Sequence, residues 1–339
     1  MTAIANITPK LVAGVFGFLL LLAAMTACGL SAPQPTSENA VPAGPQSAAA
    51  PGSGQQILPV SSLIHPAGKF FGLEANGAPD SLNPVVNVAA SVGRDPNMLG
   101  QYVAWNVPFD TAAAARSVSY GALYYAAWEP FGTSVQAIAD GASDAYITRF
   151  AKAVRDFGDP IALSFGHEMN GNWYPWGTTQ ATAAEFVAAW RHIHGLFAKA
   201  GADNVIWVWN PNIINPMPDV QLKPYWPGDA YVDWVGVTGY FATTGPHTFD
   251  GVYGQTMAEI RQFTDKPFLI AETAVETGPS DTASVHSLIS GAEEHRDVLG
   301  LIWFNYDKNG VDWTLGGRPV VRAAVAGSLA GMKLVSLDK

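Results

Sequence analysis

Cysteine is almost absent from this chain: Cys28 is the only one in 339 residues. No disulfide can form within the chain, so its folded part must be held by a core alone. Charge is also scarce, at 14 % of residues, and acidic in balance, with 28 Asp and Glu against 18 Lys and Arg. No lysine–arginine cluster occurs, which argues against a nucleic-acid partner. No glycine-rich phosphate-binding turn follows the first strand-like segment, which counts against a doubly wound nucleotide-binding sheet. The His167-Glu168 pair is not a zinc motif. Its position i+4 is Gly171 rather than a second histidine, and the Gly-Asn-Trp-Tyr-Pro that follows would break a helix. What the chain does have is apolar and aromatic substance: 48 % hydrophobic residues, with 11 Trp, 11 Tyr and 16 Phe. That is enough for a substantial core and too apolar for a disordered chain.

The N-terminal region divides from the rest by composition. A run of fourteen apolar or glycine residues, 11–24, follows Lys10. It is shorter than the about 20 residues of a membrane span and suits a signal-peptide core. Cys28, after Thr26-Ala27, resembles a lipobox cysteine, acylated to become the mature N-terminus. An ordinary cleaved signal and an uncleaved anchor are the alternatives, and all three export the remainder. Residues 1–28 are therefore read as a signal peptide with Cys28 as the lipidation site. The protein would then be a cell-envelope lipoprotein, or else secreted, meeting a membrane only through that anchor. Residues 29–60 are rich in Pro, Ala, Ser, Gly and Gln without hydrophobic periodicity, the composition of a flexible linker.

From residue 61 to 339 short apolar runs alternate with longer amphipathic ones. Strands are expected at 70–77, 99–106, 121–130, 161–170, 204–212, 232–240, 267–274 and 299–306. Helices are clearest at 145–157, 181–200, 257–263, 282–295 and 320–330. The helix at 181–200 is sharply marked, with Phe186, Ala189, Trp190, Ile193 and Phe197 at helical spacing before the cap residue Gly201. Eight such alternations predict an α/β fold, a single (β/α)₈ TIM barrel, whose chemistry sits where the strands end.

Carboxylates, amides and aromatics crowd those ends. Glu168 and Glu272 close the fourth and seventh strands, and facing carboxylates are what glycoside hydrolysis uses. Glu168 has His167, Asn170, Trp173 and Trp176 around it; Glu272 would need donors to stay ionised, and Asn210 and Tyr240 end neighbouring strands. A single buried glutamate would read as a structural hydrogen-bonding group, but two at opposed strand ends read as a pair. Trp128 ends the third strand beside Glu129, which fits the cleft and a salt bridge or cap equally well. His192 and His194 lie two apart on one helix and read as surface and packing. Asn305-x-Asp307-x-Asn309-Gly310 imitates a calcium loop but has Gly316 where the twelfth-position glutamate belongs, so a turn is expected and no metal.

The segments HEMNGNWYPW (167–176), VWNPN (208–212), YWPGDAYVDWVGVTGY (225–240), IAETA (270–274) and LIWFN (301–305) together resemble glycoside hydrolase family 26. The resemblance spans about Phe70 to Ala330. It implies a retaining endo-β-glycosidase without cofactor, monomeric, acting on a neutral polysaccharide. Glu168 would be the acid/base and Glu272 the nucleophile. His167, Trp173 and Tyr240 would line the cleft around the reacting sugar, and Trp303 would form its floor. Asn170 and Asn210 would bond sugar hydroxyls. The Tyr174-Pro175-Trp176 sequence leans towards the β-glucanase branch over the β-mannanases. Hydrolysis of a self-made exopolysaccharide and a binding role without turnover are the alternatives.

Overall fold

The computed structural model describes residues 58–308 and 310–337. The proposed signal segment, Cys28 and almost all of the linker lie outside these residues, as does Asn309. Eight parallel strands close into a barrel in sequence order, β1 next to β8. They are β1 (Phe70–Ala75), β2 (Met98–Ala104), β3 (Leu123–Glu129), β4 (Ile161–Phe165), β5 (Val205–Trp209), β6 (Trp234–Thr238), β7 (Phe268–Thr273) and β8 (Val298–Asn305). Six fall inside the segments expected from sequence, and β2 and β8 begin one residue earlier, at Met98 and Val298. The fold is a TIM barrel.

Helices α1 (Val60–Leu63), α2 (Asn83–Val92), α3 (Thr111–Tyr120), α4 (Val135–Ala139), α5 (Asp144–Phe157), α6 (Ala183–Ala200), α7 (Gln255–Ile260), α8 (Asp281–Glu294) and α9 (Pro319–Leu329) accompany the strands. The start and stop of α6 follow from its sequence. Thr182 and Glu185 form a reciprocal capping box, and Gly201, at φ 73°, supplies the left-handed residue that ends it. Asp110 caps α3 by accepting from Ala113 N at 2.8 Å. The domain begins slightly before residue 61: Leu58 N donates to Leu337 O at 2.8 Å, and Leu63 is fully buried.

Strand side chains alternate between two cores. Phe70, Met98, Leu123, Tyr125, Ile206, Val208, Trp234 and Ile302 fill the barrel interior. Phe71, Leu73, Tyr124, Phe165, Trp209 and Ile270 face outward and pack with the helices. The interior is so full that glycine is needed where inward side chains cross. A Cβ on Gly100 would lie 2.4 Å from Glu74 Cγ. At the C-terminal end of the strands the inward residues become polar, and the site begins there.

Two small strands, β9 (Asp307–Lys308) and β10 (Val311–Asp312), pair antiparallel after β8. Thus the calcium-like sequence builds a hairpin. Asn305 Oδ1 accepts from Leu315 N, and Asp312 Oδ1 accepts from Thr314 N, both at 2.8 Å.

Candidate active site

Glu168 stands three residues beyond β4 in a conformation that few side chains adopt. Its φ is 55°, and Gly166, two residues earlier, has φ 56°. Left-handed backbone at a glutamate costs on the order of 1 kcal/mol and persists only when surroundings enforce it. Here they do. Glu168 N donates to Asn210 O at 2.7 Å, and Gly171 N closes a turn onto Glu168 O at 2.9 Å. The turn aims the carboxyl at two donors, Trp173 Nε1 at 2.7 Å and Asn212 Nδ2 at 2.5 Å. Even so, burial and then the neighbouring Glu272 charge push its pKa up to about 7, against the lowering effect of those two bonds. A carboxyl poised there can both give and take a proton near neutrality.

Glu272 near the end of β7 has a different setting. It is half-buried and receives two phenol hydroxyls, Tyr240 on Oε1 and Tyr102 on Oε2, the latter at 2.5 Å. Hydrogen bonds of this kind fix the rotamer of the carboxyl. Each carboxyl is thus held by two donors, and the two differ in burial, Glu168 being buried and Glu272 half-buried.

Two more glutamates share the strand ends. Glu74 on β1 is 1 % exposed, and burial followed by the Glu272 charge pushes its pKa well up. Glu129 on β3 rises to about 8, again chiefly by burial, with Lys308 opposing. The Lys308 ammonium lies over the faces of Phe304 and Tyr102, 5.3 and 5.9 Å from their ring centroids. His167 is kept neutral, its pKa lowered to about 3 by burial and then by Lys308. Its Nε2 lies 3.2 Å from Tyr174 Oη.

Of the residues expected from sequence, Glu168, Glu272, His167, Trp173 and Tyr240 come together. Asn210 is present as a strut: its backbone carbonyl holds Glu168, and its side-chain oxygen accepts from Thr238 Oγ1 at 3.3 Å. Asn170 does not offer its amide to a ligand. It clamps Asn212 in both directions at 2.9 Å, donating to Asn212 O and accepting from Asn212 N. Trp176 is buried, not a cleft surface. Its Nε1 donates to His167 O at 2.6 Å, and its ring lies parallel under Tyr174, centroids 4.5 Å apart.

Trp128 and Trp303 point away from the cleft. Trp128 pairs in register with outward Val103 and Phe165, and stacks on Phe150 of α5 at 4.4 Å. Trp303 pairs with outward Leu73, and its Nε1 donates to Trp313 O at 3.0 Å. The inward neighbours of these two tryptophans, Glu129 and Phe304, face the site instead. An aromatic surface there comes from Trp313, half-buried after β10, whose ring centroid is 4.8 Å from that of Tyr240. His192 makes a surface contact with Asp144 at 2.6 Å, and His194 packs between Trp207 and Tyr231.

Sequence reasoning passed over Glu74, Tyr102, Asn212, Lys308 and Trp313. For Asn212 a signal existed, since it lies two residues beyond Asn210 and shares its face. Glu74 and Tyr102 end strands expected from sequence but carry no motif.

Comparison with known proteins agrees with this picture. The chain is 31% identical over 246 residues to Endoglucanase H of Acetivibrio thermocellus, covering 68% of this chain and 27% of that one. It is 33% identical over 146 residues to Mannan endo-1,4-beta-mannosidase A and B of Caldalkalibacillus mannanilyticus, 40% of this chain and 26% of that one. The chain thus spans about a quarter of the length of these relatives. Among solved structures, the catalytic domain of the GH26 endo-beta-1,4-mannanase of Bacillus sp. JAMB-750 superposes with a TM-score of 0.61 at 18% identity, covering 78% of this chain and 86% of that one. That likeness speaks to the barrel alone. The model of glycosyl hydrolase family 26 matches residues 137–307, a stretch that contains both Glu168 and Glu272. With half the chain matched and the barrel closed around that stretch, the chain belongs to glycosyl hydrolase family 26.

Proposed function

We propose that the chain is a retaining endo-β-glycosidase acting on a neutral β-linked polysaccharide, with Glu168 as acid/base and Glu272 as nucleophile. The observation that carries this is the meeting of the two carboxyls at the strand ends, each held by two donors, with Glu168 raised to about 7 by burial and by the neighbouring Glu272. In the first step Glu168 gives its proton to the glycosidic oxygen as Glu272 Oε attacks the anomeric carbon. The leaving chain departs with that proton, and a glycosyl ester on Glu272 remains. In the second step Glu168, now ionised, takes a proton from water as the water oxygen attacks the same carbon, freeing Glu272. Retention follows from two inversions.

The walls suit a sugar without charge. Trp173, Tyr174, Tyr240 and Trp313 are half-buried aromatics around the carboxyls, able to pack on the C–H faces of pyranose rings. β-Glucan is the substrate we favour over β-mannan, because the longest of the matches described above is to a protein named an endoglucanase. Export, with acylation at Cys28, belongs to the same proposal.

The test is reducing-sugar release from mixed-linkage β-glucan, β-mannan and β-1,3-xylan by the purified protein. Release from glucan, abolished in Glu272→Ala, supports the reading. Release from mannan alone would correct the substrate, and full activity in both Glu168→Ala and Glu272→Ala would refute the mechanism.

A further inference from the structure

A single hydroxyl proton stands between two carboxyl groups at the barrel mouth. Tyr102 Oη lies 2.5 Å from Glu272 Oε2 and 3.1 Å from Glu74 Oε2. Were Glu74 and Glu272 both ionised, one of these contacts would set oxygen lone pairs against each other with no proton between. The arrangement therefore calls for a second proton, and the surroundings decide which carboxyl carries it.

Glu272 is half-buried and has a second hydroxyl donor in Tyr240. Glu74 has neither advantage. It is 1 % exposed, no group among the described residues hydrogen-bonds its Oε1, and it packs against the bare Cα of Gly100. A buried carboxylate with one oxygen undonated is costly, whereas a neutral acid supplies its own donor and leaves only a carbonyl oxygen unmatched.

We infer that Glu74 is kept as the neutral acid, donates its proton to the Tyr102 oxygen, and so commits the Tyr102 proton to Glu272. Glu74 is then a positioning residue, acting through Tyr102 on the group read above as the nucleophile, and in this the inference rests on that reading. The relay runs from β1 through β2 to β7, three strand ends that only the closed barrel brings together. The raised pKa of Glu74, caused first by burial and next by Glu272, agrees with it. The other ionisable groups facing Glu74 are Lys308 after β8, which favours the anion, and Glu129 on β3, which disfavours it. The phenols of Tyr125, Tyr174, Tyr240 and Tyr306 also face it.

The experiment compares Glu74→Leu and Glu74→Gln in the full chain, each alone and with Tyr102→Phe, on the polymer that the wild type cleaves. Glu74→Leu should lower kcat by about 10- to 100-fold, the range for losing one oriented bond to a charged group. KM should change by less than about 2-fold, since ground-state binding is not involved. Glu74→Gln keeps an N–H donor in the same place and should recover most of that loss. On the Tyr102→Phe background the Leu and Gln variants should be equal, because the intermediary is gone. Equal damage from Gln and Leu in the parent, or an undiminished difference between them without the Tyr102 hydroxyl, would overturn the relay.

A second measurement does not need turnover. The infrared difference spectrum of wild type minus Glu74→Gln at neutral pH should contain a protonated-carboxyl C=O stretch. A carboxylate pair of bands in its place would overturn the inference whatever the kinetics. If the wild type cleaved none of the polymers, the proposed function would fall, while this spectrum would still decide the state of Glu74.

Discussion

Replacing Trp173 by phenylalanine keeps a ring and removes one N–H, and so measures how the Glu168 proton is held. Two donors meet this carboxylate, Trp173 Nε1 at 2.7 Å on Oε2 and Asn212 Nδ2 at 2.5 Å on Oε1. Both favour the ionised form, and they are outweighed by burial and by the Glu272 charge, leaving the pKa at about 7. A hydrogen bond to a charged acceptor is worth roughly 1.5–3 kcal/mol. At about 1.4 kcal/mol per pKa unit, its complete loss would raise Glu168 by roughly one to two units. Trp173 is half-buried, so water will replace part of the bond in the variant. A rise of about half to one unit is the expected outcome.

The assay is kcat/KM against pH on the polymer that the wild type cleaves. Its alkaline limb reports loss of the acid's proton in the free enzyme and should fall near pH 7 in the wild type. In Trp173→Phe the limb should move upward by that half to one unit. Its height will also drop if the indole touches sugar, so the position of the limb is the quantity to read. A limb that stayed put, or moved down, would refute the claim that the indole N–H stabilises the ionised acid. Asn212→Leu should move the limb in the same direction and further, since Asn212 is buried and water cannot substitute as readily.

Other expectations follow from single contacts. Tyr240→Phe removes one of the two hydroxyls on Glu272 and should cost about 10- to 100-fold in kcat, checked by steady-state kinetics. Trp313→Ala should raise KM more than it lowers kcat, because the ring stands beside Tyr240 as a surface for sugar and not as a proton carrier. Glu129 has a folded pKa raised from 4.5 to about 8, so its favourable contribution is full below about 4.5 and is lost as pH rises through 8. Glu129→Gln should accordingly gain a few degrees in Tm over the wild type at pH 9 relative to pH 5, and an equal difference at both pH values would contradict this. Gly100→Ala places a Cβ 2.4 Å from Glu74 Cγ and should destabilise the barrel by about 1–3 kcal/mol, measured by denaturant unfolding.

The barrel itself was legible because each strand is a short apolar run followed by a break, and the eight runs recur with helical stretches between them. What escaped notice among the helices were α1 to α4; α1 and α4 are only four and five residues long, and for α2 and α3 the reason is chemical. The buried positions of α3 are Ala113, Ala114, Ser117 and Val118, too small and too polar to stand out as an apolar stripe. In α2 the stripe Val85, Val88, Ala89 and Val92 is regular, but the helix opens on Asn83-Pro84 without a capping side chain. The region before α7 takes a π-helical turn at Asp250–Gly254, a departure that no periodicity announces.

The site was legible only in part because strand ends were read as clusters, whereas a strand divides its side chains between two faces. Trp128 and Glu129 are neighbours in sequence, and so are Trp303 and Phe304; only one of each pair can enter the cleft. The phase could have been taken from the interior residues: Leu123, Tyr125 and Ala127 fill the barrel, so Glu129 faces in and Trp128 out. In β8 the same rule runs from Ile302 to Phe304 and turns Trp303 onto the helices. Parity would also have put Glu74 with Phe70 and Gly72, and Tyr102 with Met98 and Gly100. That places both residues at the cleft but does not make them partners of Glu272. Their meeting depends on closure of the ring from β1 to β8 and on a register shift in β7, where Thr238 pairs with Glu272 out of step with Gly236 and Leu269. Such a shift re-aims one side chain without any mark in composition. It turns Glu272 onto the two tyrosines, so the proposed nucleophile owes its donors to an irregularity of the barrel and not to the motif that contains it.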